Sequence, residues 1–200
     1  SDTVNTYASA LDVDAAGEVA EEMVARGHNA FKLKIGFPDG RDERNLSGIR
    51  EAAGTSGRIM VDANQRWNVE EAVAGIAAIA SHGIEFVEEP LSVNAPDKAW
   101  LRLAQRTSTP LATGENIMSN DTFERYIAAG AIRHLQPDIA KWGGISDVLV
   151  HSRNALKAGI TVSPHFLGGG VGLLASAHVL AALGGEGFQE CDANANPLRE

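Results

Sequence analysis

Two hundred residues, 44% of them hydrophobic, can bury one large core, and the length fits a single domain over 1–200 better than two. A formal charge of −9, from 17 basic against 26 acidic residues, argues against a phosphate-backbone partner, because such binding needs clustered Lys and Arg, and no nucleic acid is expected. A single cysteine, Cys191, excludes a disulfide framework and any multi-cysteine metal cluster, and with neither a bilayer-length apolar run nor a secretion leader to read, a soluble cytoplasmic protein with no membrane partner is the expectation.

Short strand-like runs alternate with helical patterns along the chain, the mark of a parallel α/β sheet or barrel. Strands are expected near Asn5 to Leu11, Ala30 to Ile35, Arg58 to Val61, Glu85 to Val87, Leu111 to Ala112, Arg133 to Gln136, Thr161 to Ser163 and Gly187 to Glu190. Between them, Ala15 to Arg26, Val69 to Ser81, Asp121 to Ala129 and Ile145 to Ala158 carry apolar residues at helical spacing. Asp14, Asn68 and Ser119 stand where N-caps are expected, and Gly27, Gly83, Gly130 and Gly159 where helices end.

One chemically capable residue recurs at the downstream end of nearly every strand. Lys34, Asp62, Glu88, Glu115, Asp138, His165 and Glu190 follow one another at intervals of 28, 26, 27, 23, 27 and 25 by subtraction. A barrel whose site is built at the C-terminal mouths of successive strands requires that spacing, whereas an open doubly wound sheet concentrates its site at one switch point. The barrel is therefore the preferred reading.

Asp62, Glu88 and Glu115 close three consecutive strands. Three convergent carboxylates repel one another unless a hard cation is shared, and all-oxygen ligation with open positions suits Mg²⁺. Taken singly, each acid is as well explained as a capping or surface residue. Lys32 and Lys34 lie two apart in Phe31-Lys32-Leu33-Lys34-Ile35, so on a strand they share a face; facing a barrel interior, mutual repulsion and desolvation would leave Lys34 neutral enough to act as a base. On an edge strand the pair would simply be solvated.

Asp138 and His165 end consecutive strands and can meet as a carboxylate and imidazole pair, which sets a tautomer and makes a general acid or base. The other histidines (His28, His82, His134, His151 and His178) fall in helical or loop settings and read as structural. Glu190, if protonated, could donate to a developing oxyanion; a solvated strand end is the plainer alternative. The run Gly168-Gly169-Gly170-Val171-Gly172 reads either as a phosphate cradle or, with no following Lys and Ser/Thr, as a flexible loop entering a helix.

Over nearly its whole length the chain resembles the enolase superfamily, within it the mandelate racemase and acid-sugar dehydratase group: Lys-x-Lys at Lys32, the Asp62, Glu88, Glu115 series, Pro137-Asp138-x-x-Lys141, Ser163-Pro164-His165 and a closing Glu190. The resemblance implies a modified TIM barrel of (β/α)7β type, here lacking the N-terminal capping domain, with Mg²⁺ on Asp62, Glu88 and Glu115. It implies Lys34 as base on one substrate face and the His165 and Asp138 pair on the other. Lys32, Asn64 and Glu190 would contact carboxylate or enolate oxygens, and Lys141 would support them electrostatically. A small carboxylate, an acid sugar above all, is the implied substrate and a homo-oligomer the implied assembly; the chemistry implied is α-proton abstraction that leads to dehydration or, as runner-up, to racemisation or epimerisation. The capping domain that family members carry is missing from these residues, which therefore look like the C-terminal domain of a larger architecture. Two rivals remain: a non-catalytic barrel used as a binding module, and a metal-independent barrel enzyme that holds phosphate on its glycine run.

Overall fold

In the computed structural model, which describes residues 3–199, the strand-like and helical runs alternate without interruption. They are β1 (Asn5–Ser9), α1 (Ala16–Ala25), β2 (Ala30–Lys34), α2 (Arg41–Ala53), β3 (Arg58–Asp62), α3 (Val69–Ile79), β4 (Ile84–Glu88), α4 (Asp97–Ala104), β5 (Leu111–Thr113), α5 (Asn120–Ala129), β6 (His134–Leu135), α6 (Gly144–Lys157), β7 (Thr161–Val162), α7 (Gly170–Leu183) and β8 (Phe188–Asp192). All ladders are parallel, and the order β7-β6-β5-β4-β3-β2-β1-β8 wraps the sheet around itself. This is the (β/α)7β barrel. At the seam between β7 and β8 the Phe188 amide donates to Ser163 Oγ at 3.1 Å. The backbones there pass so closely that a Cβ on Gly187 would lie 1.8 Å from the Val162 carbonyl oxygen, so only glycine fits.

The strand pleat sorts the core into two shells. Phe31, Leu33, Ile59, Val61, Val87, Leu111, Leu135 and Val162 face outward and pack with the helices in one large cluster. Tyr7, Ala30, Met60, Phe86, Ala112 and Phe188 form a second cluster inside the barrel. Strands buried on both faces by this division are what a barrel ringed with helices demands.

Helix starts follow local chemistry where a suitable residue is present. Asn68 accepts from the Glu70 and Glu71 amides while Glu71 returns a bond to the Asn68 amide, and Ser119 caps α5 by accepting from Thr122. Asp14 does not cap α1 as expected. Its carboxylate pairs with Arg41 at 3.1 Å, and Ala15 occupies the N-cap with no side-chain bond.

The glycine run serves as a packing device. A Cβ on Gly172 would lie 2.2 Å from Cζ of Phe166 and one on Gly168 would lie 2.8 Å from it, so the run clears space for that ring. The Gly170 amide is already engaged by the Leu198 carbonyl at 2.7 Å, and α7 follows at once. Among the described residues, no helix is long and apolar enough to cross a membrane.

Candidate active site at the barrel mouth

Register carries each strand-end residue to one rim. Lys34 is paired with Asp62 across β2 and β3, and Asp62 with Glu88 across β3 and β4. Directly above the interior apolar cluster, Lys32 is 5% exposed, and its Nζ lies 2.6 Å from Glu88 Oε2 and 2.8 Å from Glu190 Oε1. Burial alone would pull the ammonium down, but Glu190 and Glu88 hold its pKa well above the ordinary lysine range. Glu88 is pushed up to about 7 by burial, and the neighbouring Asp62, Glu190 and Glu115 add to the rise against the pull of Lys32. Its Oε2 also accepts from Gln136 Nε2 at 2.7 Å, whereas its buried Oε1 has no hydrogen-bond partner.

Glu190 stands as a hydrogen-bond acceptor in this arrangement. Burial favours the neutral acid, but Lys32 and His165 outweigh it and keep the carboxyl below the usual range. It serves as an acceptor, from Ser9 Oγ at 2.5 Å and from the Phe166 amide at 3.1 Å.

The imidazole of His165 sits between two carboxylates: Nδ1 is 2.7 Å from Asp138 Oδ2, and Nε2 is 2.6 Å from Glu115 Oε2. Burial lowers its pKa, yet the bonds to Asp138 and Glu115 prevail and raise it to about 10. Glu115 responds in the opposite direction, brought to about 2 by His165 and then Lys141 in spite of its burial. Lys141 Nζ stands 3.3 Å from the same Glu115 oxygen. Asp138 is fixed by the Ala140 amide at 2.7 Å and the Lys141 amide at 3.1 Å, so the loop after β6 sets the direction of its carboxylate.

On the facing wall, Lys34 is exposed and donates to Asn64 Oδ1 at 2.5 Å. The desolvation expected of Lys34 is therefore absent; one pleat step beyond Lys32, it has cleared the interior and reached the rim. Asn64, in the left-handed region at φ 46°, turns back on Asp62, to which its backbone amide and its Nδ2 each donate at 2.8 Å.

Lys32, Lys34, Asp62, Glu115, His165 and Glu190 line one pocket of about 320 Å³, whose walls also include Asn64 and Lys141. Glu88 and Asp138 stand behind that lining and reach it through Lys32 and His165. Four further residues belong to the site. Ser9, Gln136, Glu89 and Asn116 hold the carboxylates described above, or neighbours of them, by hydrogen bonds. Ser9 was accessible to the spacing argument, since it precedes Lys34 by 25 positions (34 − 9) and closes β1 as the others close their strands.

The donor set suits a divalent cation in kind. Asp62, Glu88 and Glu115 disfavour one another's charge across the rim, and the orphaned Glu88 Oε1 is a buried acceptor with nothing to accept from. In this arrangement each acid leans on a cation or amide, and among the described residues no three such groups converge closely enough to hold an ion as they stand.

Comparison with known proteins bears on the family and the fold. Residues 15–200 match the family model described as enolase C-terminal domain-like. The chain is 32% identical to D-galactarolactone cycloisomerase from Agrobacterium fabrum, an alignment that covers 100% of this chain and 56% of that protein. It is 38% identical to L-talarate/galactarate dehydratase from Salmonella typhimurium over 70% of this chain and 35% of that one. Among solved structures, a mandelate racemase/muconate lactonizing enzyme from Bordetella bronchiseptica superposes with a TM-score of 0.94 at 43% identity, covering 98% of this chain and 55% of the other. A racemase from Streptomyces coelicolor with bound magnesium gives a TM-score of 0.82 at 26% identity over 94% and 52% of the two chains. The chain thus spans about half the length, or less, of the relatives that it matches.

Proposed function

The chain belongs to the enolase superfamily, and on that premise we propose that its barrel mouth removes the proton beside a substrate carboxylate and so dehydrates a sugar acid to a 2-keto-3-deoxy acid. The observation that carries this reading is the two-walled pocket: Lys34 reaches it from the end of β2, and His165 from just beyond β7, with Lys32, Asp62, Glu115 and Glu190 between them.

Lys34 takes the α-proton on its wall. His165 gives a proton from Nε2 to the departing β-hydroxyl on the other, and Asp138 on Nδ1 keeps Nε2 turned toward the pocket. The electron pair of the broken C–H bond becomes the C=C bond as the hydroxyl leaves as water, and the enol so formed tautomerises to the keto acid. Lys32 and Asn64 orient the substrate carboxylate, while Lys141 supplies positive charge at the rim. A magnesium ion held by Asp62, Glu88 and Glu115 would neutralise the negative charge that develops on the substrate carboxylate in the transition state.

The same two walls suit a racemase or epimerase if His165 returns its proton to carbon, and the name of the Bordetella neighbour supports keeping that second reading. Incubation of the protein and Mg²⁺ with a panel of acid sugars separates the two by product. Release of a 2-keto-3-deoxy acid is expected; formation of an epimer alone favours the second reading, and no turnover of any α-hydroxy acid overturns both. Lys34→Ala and His165→Asn are each expected to lower turnover by on the order of 10²–10⁴-fold, and Lys34→Ala, whose partner is Asn64, is expected to leave magnesium affinity in place. Unchanged exchange of substrate hydrogen for deuterium in both variants would remove these two assignments.

A further inference from the structure

Behind the three acids of the rim lies a second, buried layer centred on Glu89. Asp62, Glu88 and Glu115 close β3, β4 and β5, and within three residues of each stands a member of one hydrogen-bonded knot: Gln65, Glu89 and Asn116. Glu89 is 0% exposed. It adopts φ 39°, a left-handed conformation that a residue with a Cβ holds only when its surroundings require it. That turn directs its side chain away from the pocket lining and under the loops after β3 and β5. Its Oε2 accepts from Asn116 Nδ2 at 2.8 Å, Thr113 Oγ1 approaches Oε1 at 3.5 Å, and the Gln65 side chain bonds the same carboxylate.

Gln65 is fixed in turn. Its Oε1 accepts from the Val93 amide at 2.9 Å, its own amide donates to the Glu89 carbonyl at 2.7 Å, and it too is left-handed, at φ 61°. The consequential atom is Asn116 Nδ2, which besides its bond to Glu89 donates to Glu115 Oε1 at 3.0 Å. One amide group therefore spans two carboxylates. With Asn116 Nδ2 held by Glu89 Oε2, the same end of the amide is the one that faces Glu115. Glu115 then has one oxygen on Asn116 and the other on His165 and Lys141.

We infer that Glu89 and Asn116 are positioning residues: through the Asn116 amide, Glu89 fixes the Glu115 carboxylate in the direction that cation binding needs. This rests on the assignment of Glu115 as a magnesium ligand in the proposed function. Neither residue itself lines the pocket, and Asn116 meets the lining at Glu115, through which their effect would pass.

The test is Mn²⁺ affinity, followed by paramagnetic resonance on the full chain, beside thermal denaturation and crystal structures of the same variants. Asn116→Leu and Glu89→Leu are expected to weaken Mn²⁺ binding about 10-fold or more, the range seen when partners of metal ligands are removed. Glu89→Gln, whose carbonyl can still accept from Asn116, is expected to stay within about threefold of wild type, a rescue that loss of stability alone would not produce. In crystals of Asn116→Leu the Glu115 carboxylate should take a new rotamer. Affinity unchanged in Asn116→Leu, or lost equally in Glu89→Gln, overturns the assignment. Should wild type itself take up no Mn²⁺, the metal reading fails separately, and the Glu115 rotamer in Asn116→Leu then decides: moved, the positioning role stands; unmoved, it falls.

Discussion

Lys32 is an ammonium in the interior of a barrel, and its position depends on two carboxylates. Removing one partner from such a group leaves the others charged and unpaired in a medium that solvates them poorly. Lys32→Met, of similar volume, is therefore expected to lower unfolding free energy by roughly 3–5 kcal/mol, read from the denaturant midpoint, because Glu88 and Glu190 lose the cation between them. Pairing Lys32→Met with Glu88→Gln should recover part of the loss, since one of the stranded charges is then gone. The alternation Phe31-Lys32-Leu33-Lys34 announced that the two lysines share a face, and they do. It could not announce their difference in burial. Strand parity specifies a face, whereas height along the barrel axis depends on where the strand ends in three dimensions, and Lys34 is the last residue of β2, exposed at the rim. For the same reason the partners of Glu190 were beyond the reach of spacing: Ser9, Lys32 and the Phe166 amide converge on it from three distant segments.

At the scale of single elements, the signals that were legible are those carried by local chemistry. The Asn68 and Glu71 capping box predicts a measurable dependence: Asn68→Ala should cost about 1 kcal/mol, as a lowered melting temperature, by stranding the Glu70 and Glu71 amides at the start of α3. An effect indistinguishable from zero would mean that the tertiary contacts of Ala72, Ile76 and Ile79 alone hold that turn. All eight strands were visible as short apolar runs, with ends misplaced by a residue or two. Helices α2 and α4 were not read. In α2 only Leu46 and Ile49 provide buried apolar anchors, Asn45 being the third buried residue, and α4 spans only 8 residues. Helix α7 was read only as the helix that the glycine run enters, without bounds, for the opposite reason. It is apolar all round, so no face stands out by period, and Val171 and Leu174 are left exposed on it.

For the molecule as a whole, two buried histidines at opposite ends of the barrel make stability depend on pH with opposite signs. His134, at the start of β6 beneath the mouth, packs against Phe86 with centroids 4.6 Å apart and the rings tilted by 36°, and its Nδ1 is buried without a partner. Burial brings its pKa down from 6.5 to about 4, and Arg58 assists against the opposing pull of Glu85. Between those values the unfolded chain binds a proton that the native barrel refuses, so stability falls as pH drops through this window, by roughly 3 kcal/mol in full. His165 does the reverse. With its pKa raised to about 10 by Asp138 and Glu115 in spite of burial, the native state holds a proton that the unfolded chain releases above 6.5. Its stabilisation is complete below 6.5 and is lost as pH rises toward 10. The melting temperature measured across pH should therefore be highest near the ordinary histidine range and decline on either side. His134→Phe should flatten the acid limb and leave the alkaline one, and His165→Gln should do the opposite. If His134→Phe leaves the slope between pH 4 and 6.5 unchanged, the acid limb belongs to the rim carboxylates and the base of the barrel is not where the fold senses acid.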